Sequence, residues 1–301
     1  MLGQTKITTD GEICDKVEIA IKRLKAFEPP EGYYVAFSGG KDSQSVYHLC
    51  KMAGVKFDAH YNVTSVDPPE LVRFIKDNYP DVKFEHQHNK DGKPITMWNL
   101  IPEQRMPPTR LARYCCAKLK ETNGKGRYTV TGVRASESAS RKANQGVITV
   151  PNVDDQFYQE MEELGVNFTQ TPRGGVVLNY DNSEKHRMTE HCIRTGKVLV
   201  NPIIDWDEED VWEFLNTYKI PHCCLYDEGF TRLGCIGCPM GNTKNQLAQF
   251  ERWPKYKELY LKAFEKMIQV RTERGLNIEG WETPEKVMKW WLGLDELDET
   301  V

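Results

Sequence analysis

The residues with the clearest chemical potential form the consecutive run Ser38, Gly39, Gly40, Lys41, Asp42 and Ser43, which follows an apolar stretch at 33–37. Two glycines at the end of a buried strand let the backbone turn sharply, and a helix that follows points unpaired N–H groups at a ligand. The lysine adds a positive charge, the serines add hydroxyl donors, and Asp42 can orient the loop or hold a magnesium ion. This run, the phosphate loop, therefore predicts a phosphate-binding site.

The spacing of the phosphate loop differs from the Gly-x4-Gly-Lys-Ser/Thr pattern of the Walker loop, so the fold of kinases and GTPases is not implied. The alternative is a tight strand-to-helix turn with a solvent-exposed lysine. Six consecutive residues and both flanking patterns favour phosphate binding over that alternative.

The cysteines form a second group with possible chemistry. There are nine, an odd number, and their spacing in a reducing compartment indicates metal or redox chemistry rather than structural disulfides. Four thiolates are a full ligand set for tetrahedral zinc or for a four-iron four-sulfur cluster. Adjacent cysteines point in divergent directions, so a second set and free thiols remain alternatives. The first set is Cys115, Cys116, Cys235 and Cys238. Cys223 and Cys224 are rival ligands, and the second set is Cys116, Cys224, Cys235 and Cys238, with Cys115 packed as a small buried residue.

Composition limits the class of protein. The 301 residues fit one large domain, or a main domain with a smaller appendage. A net charge of −4 gives no overall attraction to nucleic acid, so local arginines must hold any polyanion. The sequence has no apolar run of transmembrane length and shows no secretory signal, so we expect a cytoplasmic protein without a membrane partner.

Strand and helix patterns alternate through most of the chain. This alternation predicts an α/β fold, a doubly wound and mostly parallel sheet with helices on both faces. We expect a nucleotide-binding domain over 1–242, with an insertion at about 145–197 that contains a β-hairpin, and a helical C-terminal extension over 243–301. Helices are predicted at 12–27, at 69–78, after Asp207 and after Trp253, and strands at 33–37, 57–67, 82–87 and 128–133.

The phosphate loop resembles the pyrophosphate-binding loop, or PP-loop, of the adenine nucleotide alpha hydrolase (ATP pyrophosphatase) superfamily. Three further motifs are similar to the phosphoadenosine phosphosulfate (PAPS) reductase family: TGVRASES at 131–138 with Arg141, NPIIDW at 201–206, and LYDEG at 225–229 leading to RLGCIGCP at 232–239. The resemblance covers about residues 30–242. It implies an enzyme of sulfur metabolism that binds ATP or an adenylylated sulfate (PAPS or APS) next to a cysteine-ligated cluster.

The resemblance also implies roles for individual residues. The phosphate loop would contact the nucleotide phosphates. Arg134 and Arg141 would pair with the remaining negative charge of the nucleotide, and Glu137 would orient either arginine. The alternative for the two arginines is a surface ion pair. Asp67, where the family places its adenosine pocket, would lie near the ribose or act only as a turn residue. The expected catalytic residues are Lys41, Asp42, Arg134 and Arg141.

Adenylyl-sulfate reductases of this family carry a 4Fe-4S cluster on a Cys-Cys pair and a Cys-x-x-Cys pair, and this sequence has both; zinc is the alternative metal. PAPS and adenylyl-sulfate reductases attack the sulfate sulfur with a cysteine in a C-terminal Glu-Cys-Gly setting, whereas no cysteine follows Cys238 here. Three hypotheses follow. The chain is a reductase of an adenylylated sulfate, an ATP-dependent sulfurtransferase or adenylylating enzyme that acts on nucleic acid, or a non-catalytic nucleotide-binding module with structural zinc. We also expect a sulfur-donor or reductant protein as partner, and a homo-oligomer.

Overall fold

The structure is a computed structural model that describes residues 5–7, 13–151, 153–163, 168–178 and 197–294. Two strands, β1 (Thr5–Ile7) and β2 (Ile13–Asp15), pair in antiparallel fashion. The other strands form one eight-stranded sheet in the order β5-β4-β3-β6-β10-β7-β9-β8. They are β3 (Tyr33–Ala36), β4 (Phe57–Asn62), β5 (Lys83–Glu85), β6 (Tyr128–Val130), β7 (Ile148–Val150), β8 (Thr169–Gln170), β9 (Val176–Leu178) and β10 (Val198–Val200).

The described helices alternate with the strands in the first part of the chain and dominate the C-terminal part. They are α1 (Lys16–Ala26), α2 (Lys41–Ala53), α3 (Pro69–Asn78), α4 (Met97–Gln104), α5 (Tyr114–Leu119), α6 (Ala139–Asn144), α7 (Asp155–Glu163), α8 (Glu208–Thr217), α9 (Thr243–Arg252), α10 (Pro254–Glu273) and α11 (Pro284–Leu292). The described part of the chain contains no helix with the length and apolar character needed to cross a lipid bilayer.

The direction of the strands confirms the predicted fold class. The neighbours β4, β3, β6 and β10 run parallel, as expected for strands joined by helical crossovers. The inserted region adds β7, β9 and β8 to the same sheet in antiparallel fashion, and β8 and β9 form its hairpin. Of the turn residues from which the sequence predicts a hairpin, Gly174 and Gly175 lie between β8 and β9, whereas Asn179, Asp181 and Asn182 lie outside the described residues.

Two predicted helix starts are confirmed by their local chemistry. Helix α3 begins at Pro69, whose missing N–H costs nothing in a first turn. Helix α8 is capped by Asp207, whose carboxylate accepts from the Asp210 N–H at 3.0 Å, while the Asp210 carboxylate accepts from the Asp207 N–H at 2.8 Å.

Several predicted element boundaries are wrong: the strands expected over 82–87 and 128–133 are only Lys83–Glu85 and Tyr128–Val130. The helix expected over 12–27 begins only at Lys16, because Asp15 caps it by accepting from the Val17 N–H at 2.7 Å, and 13–15 form a strand. The strand expected over 57–67 ends at Asn62. Beyond it the chain turns, with Ser65 in the left-handed region at φ 66°.

The chain divides into two compact units. The first comprises 1–61, 73–83 and 123–232, and its core contains Tyr33, Val35, Tyr47, Trp206 and Phe214, all nearly inaccessible to solvent. The second comprises 62–72, 84–122 and 233–301, and its core is rich in aromatic side chains from the C-terminal helices, including Phe250, Tyr260, Phe264 and Trp291. The domain boundary expected at residue 242 stays a prediction.

Candidate functional site

The phosphate loop joins β3 to α2 in the first unit. Gly39 has φ 72°, a left-handed conformation that glycine adopts without a steric penalty. Gly40 caps α2 and provides no side-chain acceptor for the helix. Within the described residues, the backbone N–H groups of Gly40, Asp42 and Ser43 have no hydrogen-bond partner. The start of α2 thus presents open donors at the positive end of a helix dipole, a favourable place for an anion.

The two serines hold the phosphate loop closed. The Ser38 N–H donates to the Ser43 Oγ at 3.1 Å, and the Ser43 hydroxyl donates to the Gly40 carbonyl at 2.9 Å. The two hydroxyl oxygens are 3.1 Å apart. Because the Ser43 proton is used inside the loop, this hydroxyl braces the backbone turn in the nucleotide-free chain.

Lys41 is buried, with 4% of its surface exposed, so the alternative of a solvent-exposed lysine is wrong. Its ammonium donates to the Thr231 carbonyl at 3.1 Å. The carboxylates of Glu208 and Asp42 lie 3.5 Å and 3.8 Å from the same nitrogen. A buried cation is costly unless it is paired, and these acceptors pair with the Lys41 ammonium at the loop.

A network of charged residues lies beside the loop in the first unit. The Arg134 Nε donates to the Asp42 Oδ1 at 2.6 Å, and Arg134 is only 4% exposed. Glu137 accepts from the Arg134 backbone N–H at 3.1 Å and from the Arg141 guanidinium, so it contacts both arginines. The burial of Arg134 rules out the surface ion pair for this residue, while Arg141 is half-buried.

Gly132 explains how Arg134 reaches the loop. A Cβ at this position would lie 2.8 Å from the carbonyl carbon and oxygen of Asp42, closer than real Cβ contacts. Only glycine lets the chain after β6 approach the first turn of α2 so closely. The TGVRASES motif and the phosphate loop are far apart in sequence, and the fold brings Gly132 into direct contact with Asp42.

The charges around the loop do not cancel. Lys41, Arg134 and Arg141 face the three carboxylates of Asp42, Glu137 and Glu208, and Arg232 adds a fourth positive charge near Arg141. Burial lowers the pKa of Arg141; Glu137 opposes this effect, and repulsion from Arg232 adds to it. This excess of one positive charge favours the binding of an anion.

The structure adds residues whose part in the site the sequence did not predict. The Tyr226 hydroxyl accepts a hydrogen bond from the Lys41 backbone N–H at 2.9 Å, and Thr231, Arg232 and Glu208 contribute as described above. Burial raises the pKa of Tyr226, so its phenol stays protonated at neutral pH. The LYDEG motif contains Tyr226 and was the available signal, but it does not show which side chain turns toward the loop.

The first cysteine set lies entirely in the second unit. Cys115 and Cys116 open the short helix α5, and their thiols hydrogen-bond to each other. Cys235 interacts electrostatically with Cys115 and with Cys238. The rival ligands belong to the first unit, where Cys223 is buried and Cys224 is exposed. Cys50 is buried on α2, as its position in the apolar stripe predicts; the environments of Cys14 and Cys192 lie outside the described residues.

Neighbouring segments of the second unit fix the backbone of the Cys-x-x-Cys turn. The Ile236 N–H donates to the Val66 carbonyl at 2.8 Å, and the Tyr260 hydroxyl donates to the Ile236 carbonyl at 3.0 Å. The Gly237 N–H donates to the Gln249 side chain at 2.8 Å, and Gln246 donates to the Gly237 carbonyl at 3.3 Å. Side chains of helices α9 and α10 therefore position the turn.

Basic side chains flank the thiols. The Arg113 guanidinium hydrogen-bonds to Cys116, and Lys120 hydrogen-bonds to Cys235. The hydrogen bond from Cys115, followed by that from Arg113, lowers the pKa of Cys116 below its usual range. Burial raises the pKa of Cys235, and the charge of Lys120 opposes this effect. Positive charge beside the thiols favours thiolates, the form that binds metal.

The four thiols are of the ligand type that both zinc and a four-iron four-sulfur cluster accept. In the described ranges, no three His, Cys, Asp or Glu side chains are arranged to hold one metal ion. Zinc needs all four thiolates around one centre, whereas a four-iron cluster gives each thiolate a different iron and so spaces the sulfurs further apart. The cysteine chemistry fits either metal centre, and the choice between zinc and an iron–sulfur cluster stays a prediction.

Asp67 lies in the second unit, in the turn that follows β4. Its carboxylate accepts from the Thr64 N–H at 2.9 Å, and the Thr64 Oγ1 lies 3.5 Å from the Cys235 sulfur. The Tyr256 hydroxyl donates to the Asp67 carbonyl at 2.9 Å. These bonds give Asp67 a structural part in the turn; its expected place near a ribose stays a prediction.

Comparison with known proteins decides the family. Residues 32–241 match the phosphoadenosine phosphosulfate reductase domain. The chain belongs to the PAPS reductase family. This confirms the resemblance carried by the phosphate loop, the TGVR segment and the cysteine motif. Adenosine 5'-phosphosulfate reductases occur among the relatives, and the family binds adenine nucleotides.

Individual relatives are distant. An uncharacterised protein of Methanocaldococcus jannaschii is 25% identical over 247 residues, which cover 78% of this chain and 46% of that protein. The adenosine 5'-phosphosulfate reductase of Allochromatium vinosum is 32% identical over 58 residues, 19% of this chain and 23% of that enzyme. The matches thus span less than half the length of these curated relatives. The PAPS reductase of Candida auris, solved as a phosphate complex, superposes with a TM-score of 0.45 at 12% identity and covers 77% of this chain and 98% of its own.

Proposed function

We propose that this chain is an enzyme of sulfur metabolism that binds an adenine nucleotide, ATP or an adenylylated sulfate, at the phosphate loop. The observation that carries the proposal is the open start of α2. Its unpartnered N–H groups, the buried Lys41 ammonium and the Arg134 guanidinium all belong to one site. Backbone donors recognise phosphate oxygens whatever the rest of the ligand is, and the cations add affinity for a multiply charged chain of phosphates.

The cysteine site supports the assignment to sulfur chemistry. We infer that Cys115, Cys116, Cys235 and Cys238 hold a 4Fe-4S cluster in the second unit, since their thiols are gathered there beside Arg113 and Lys120. When bound, the cluster would supply electrons or hold sulfur. The protein's own contribution is to fix the Cys-x-x-Cys turn and to keep positive charge beside the thiolates.

A second candidate is an ATP-dependent sulfurtransferase that acts on nucleic acid. The observation that favours it is the segment 105–120, which contains the cysteine pair, five basic residues and no acidic one in a chain of net charge −4. Such a segment gives a local attraction to a polyanionic acceptor that the whole chain lacks. The basic residues are Arg105, Arg110, Arg113, Lys118 and Lys120.

The products of nucleotide turnover separate these functions. The anaerobically prepared protein is incubated with ATP, PAPS or APS, together with a dithiol. Sulfite, the adenosine phosphate and an oxidised dithiol are the expected products if an adenylylated sulfate is reduced. Pyrophosphate and AMP from ATP, in the presence of a nucleic acid acceptor, would instead support the second candidate. Lys41→Ala, which removes the loop ammonium, is the control for activity from contaminating enzymes.

The proposal fails if no nucleotide is turned over and none binds. If nucleotide binds without turnover and the protein contains zinc, the chain is a binding module with a structural metal, the third hypothesis. Metal and acid-labile sulfide analysis of the same preparation distinguishes that outcome.

A further inference from the structure

The Tyr226 hydroxyl occupies a specific position on the phosphate loop. It accepts from the backbone N–H of Lys41, the first residue of α2, at 2.9 Å. A Cβ on Gly40 would lie 3.4 Å from the same oxygen. The hydroxyl is therefore in contact with the loop, next in sequence to Asp42 and Ser43, whose N–H groups have no partner among the described residues.

Tyr226 is held in place by its surroundings in the first unit. Its ring packs edge-to-face on Trp212, with the ring centres 5.0 Å apart. Its backbone lies in a 3₁₀ turn (Cys224–Tyr226), where its N–H donates to the Cys223 carbonyl at 3.0 Å and its carbonyl accepts from the Gly229 N–H at 3.1 Å. Because its ring and backbone are fixed in this way, Tyr226 is already positioned to bind a phosphate. This favours a preformed binding residue over a cap that moves away when nucleotide binds.

The hydroxyl has one proton left to give. It uses an oxygen lone pair to accept from Lys41, and within the described residues its own proton meets no acceptor. A hydroxyl that accepts a hydrogen bond from a backbone N–H can donate its own proton to a ligand. The ligand then meets the hydroxyl as donor in place of the N–H. The hydrogen bond from Lys41 also polarises the O–H group and so strengthens it as a donor.

We propose that Tyr226 is a phosphate-binding residue, which donates its hydroxyl proton to a phosphate oxygen of the nucleotide held by the phosphate loop. This inference rests on the proposed function, because it requires a nucleotide at the loop. It assigns the LYDEG motif a direct part in nucleotide binding and makes the Lys41 N–H act through Tyr226 rather than on the phosphate itself.

Tyr226→Phe tests the proposal, because it removes the hydroxyl and keeps the ring against Trp212. Calorimetric titration should show ATP and inorganic pyrophosphate binding about 10-fold or more weakly than to the wild type, as expected for a lost hydrogen bond to a charged group. Adenosine, which has no phosphate, should bind equally to both proteins. Tyr218→Phe is the matched control: this tyrosine lies just after α8 and is 46% exposed.

The outcomes are distinct. Equal affinity of Tyr226→Phe and wild type for ATP overturns the proposal, and so does tighter binding, which would show that the hydroxyl competes with phosphate. A general loss that includes adenosine, or a lowered Tm, would show a structural role instead. If the wild type binds ATP and Lys41→Ala does not, the proposed function stands whatever Tyr226→Phe does. If the wild type binds no nucleotide, both proposals fail.

Discussion

The phosphate loop and the cysteine site are built in opposite ways. The loop takes its backbone donors from neighbours in sequence, and the strand-to-helix geometry positions them. The cysteine site takes its thiols from α5 and from a turn far along the chain, and side chains of α9 and α10 fix that turn. A site made of backbone groups is thus determined locally, whereas a site made of side-chain ligands depends on the whole unit that positions them.

The largest expected effect is on the cysteine site. Replacing Cys235 or Cys238 with Ser should remove most of the iron, the acid-labile sulfide and the visible absorbance of the anaerobically purified protein, because a serine oxygen is a poor ligand for a soft iron–sulfur centre. Nucleotide binding at the first unit should persist. Cys224→Ser is the matched control, since Cys224 is exposed and lies in the first unit.

A different result would revise the ligand set. If Cys224→Ser loses iron as fully as Cys238→Ser, the rival set that includes Cys224 is correct. If Cys235→Ser and Cys238→Ser retain full iron and sulfide, these residues are not ligands, and the cluster assignment is wrong.

An intermediate effect is expected at the contact that completes the phosphate site. Gly132→Ala places a methyl group 2.8 Å from the Asp42 backbone, which cannot move without shifting the first turn of α2. Overpacking of this kind costs about 1–3 kcal/mol of unfolding free energy, and the displaced Arg134 should weaken ATP binding as well. Denaturant unfolding and calorimetric titration measure the two effects. Iron content should not change, and Gly234→Ala, at a glycine outside the left-handed region with open space around its Cβ position, controls for the effects of the substitution itself on stability and ATP binding.

The smallest effect is expected from the residues that support the cysteine turn. Gln249→Leu leaves the Gly237 N–H without its acceptor, which costs about 1–3 kcal/mol for a buried donor. The looser turn should release iron faster to a chelator, although the four thiols remain. Gln269→Leu on the exposed side of α10 is the control. Equal chelation rates for Gln249→Leu and the control would show that the turn needs no support from α9.

The sequence predicted the phosphate loop well because its signal is local. Strand, glycines, lysine and helix follow each other without interruption, so the element boundaries and the site coincide. Proline and aspartate gave the starts of α3 and α8 for the same reason. The prediction that the strand continues beyond residue 62 was wrong, because hydrogen bonds to the side chains of Thr64 and Asp67 close a turn there. A pattern of alternating apolar residues does not reveal such hydrogen bonds.

The rest of the site depends on contacts between distant residues. Tyr226 meets Lys41 across 185 positions, and Tyr260 meets Ile236 across 24. No spacing rule links such pairs in a single sequence. The gathering of the four cysteines followed from the resemblance to a family, while the side chains that hold their turn, Gln246, Gln249 and Tyr260, required the structure.

The central claim is that the phosphate loop binds the phosphates of an adenine nucleotide, and titration of wild type and Lys41→Ala with ATP and PAPS tests it most directly. We expect the wild type to bind at least one of them, and Lys41→Ala to bind about 100-fold more weakly, because a buried ammonium at the phosphates is lost. Lys51→Ala, which removes an exposed lysine from the same helix, should bind like the wild type. Equal binding by wild type and Lys41→Ala would contradict the account.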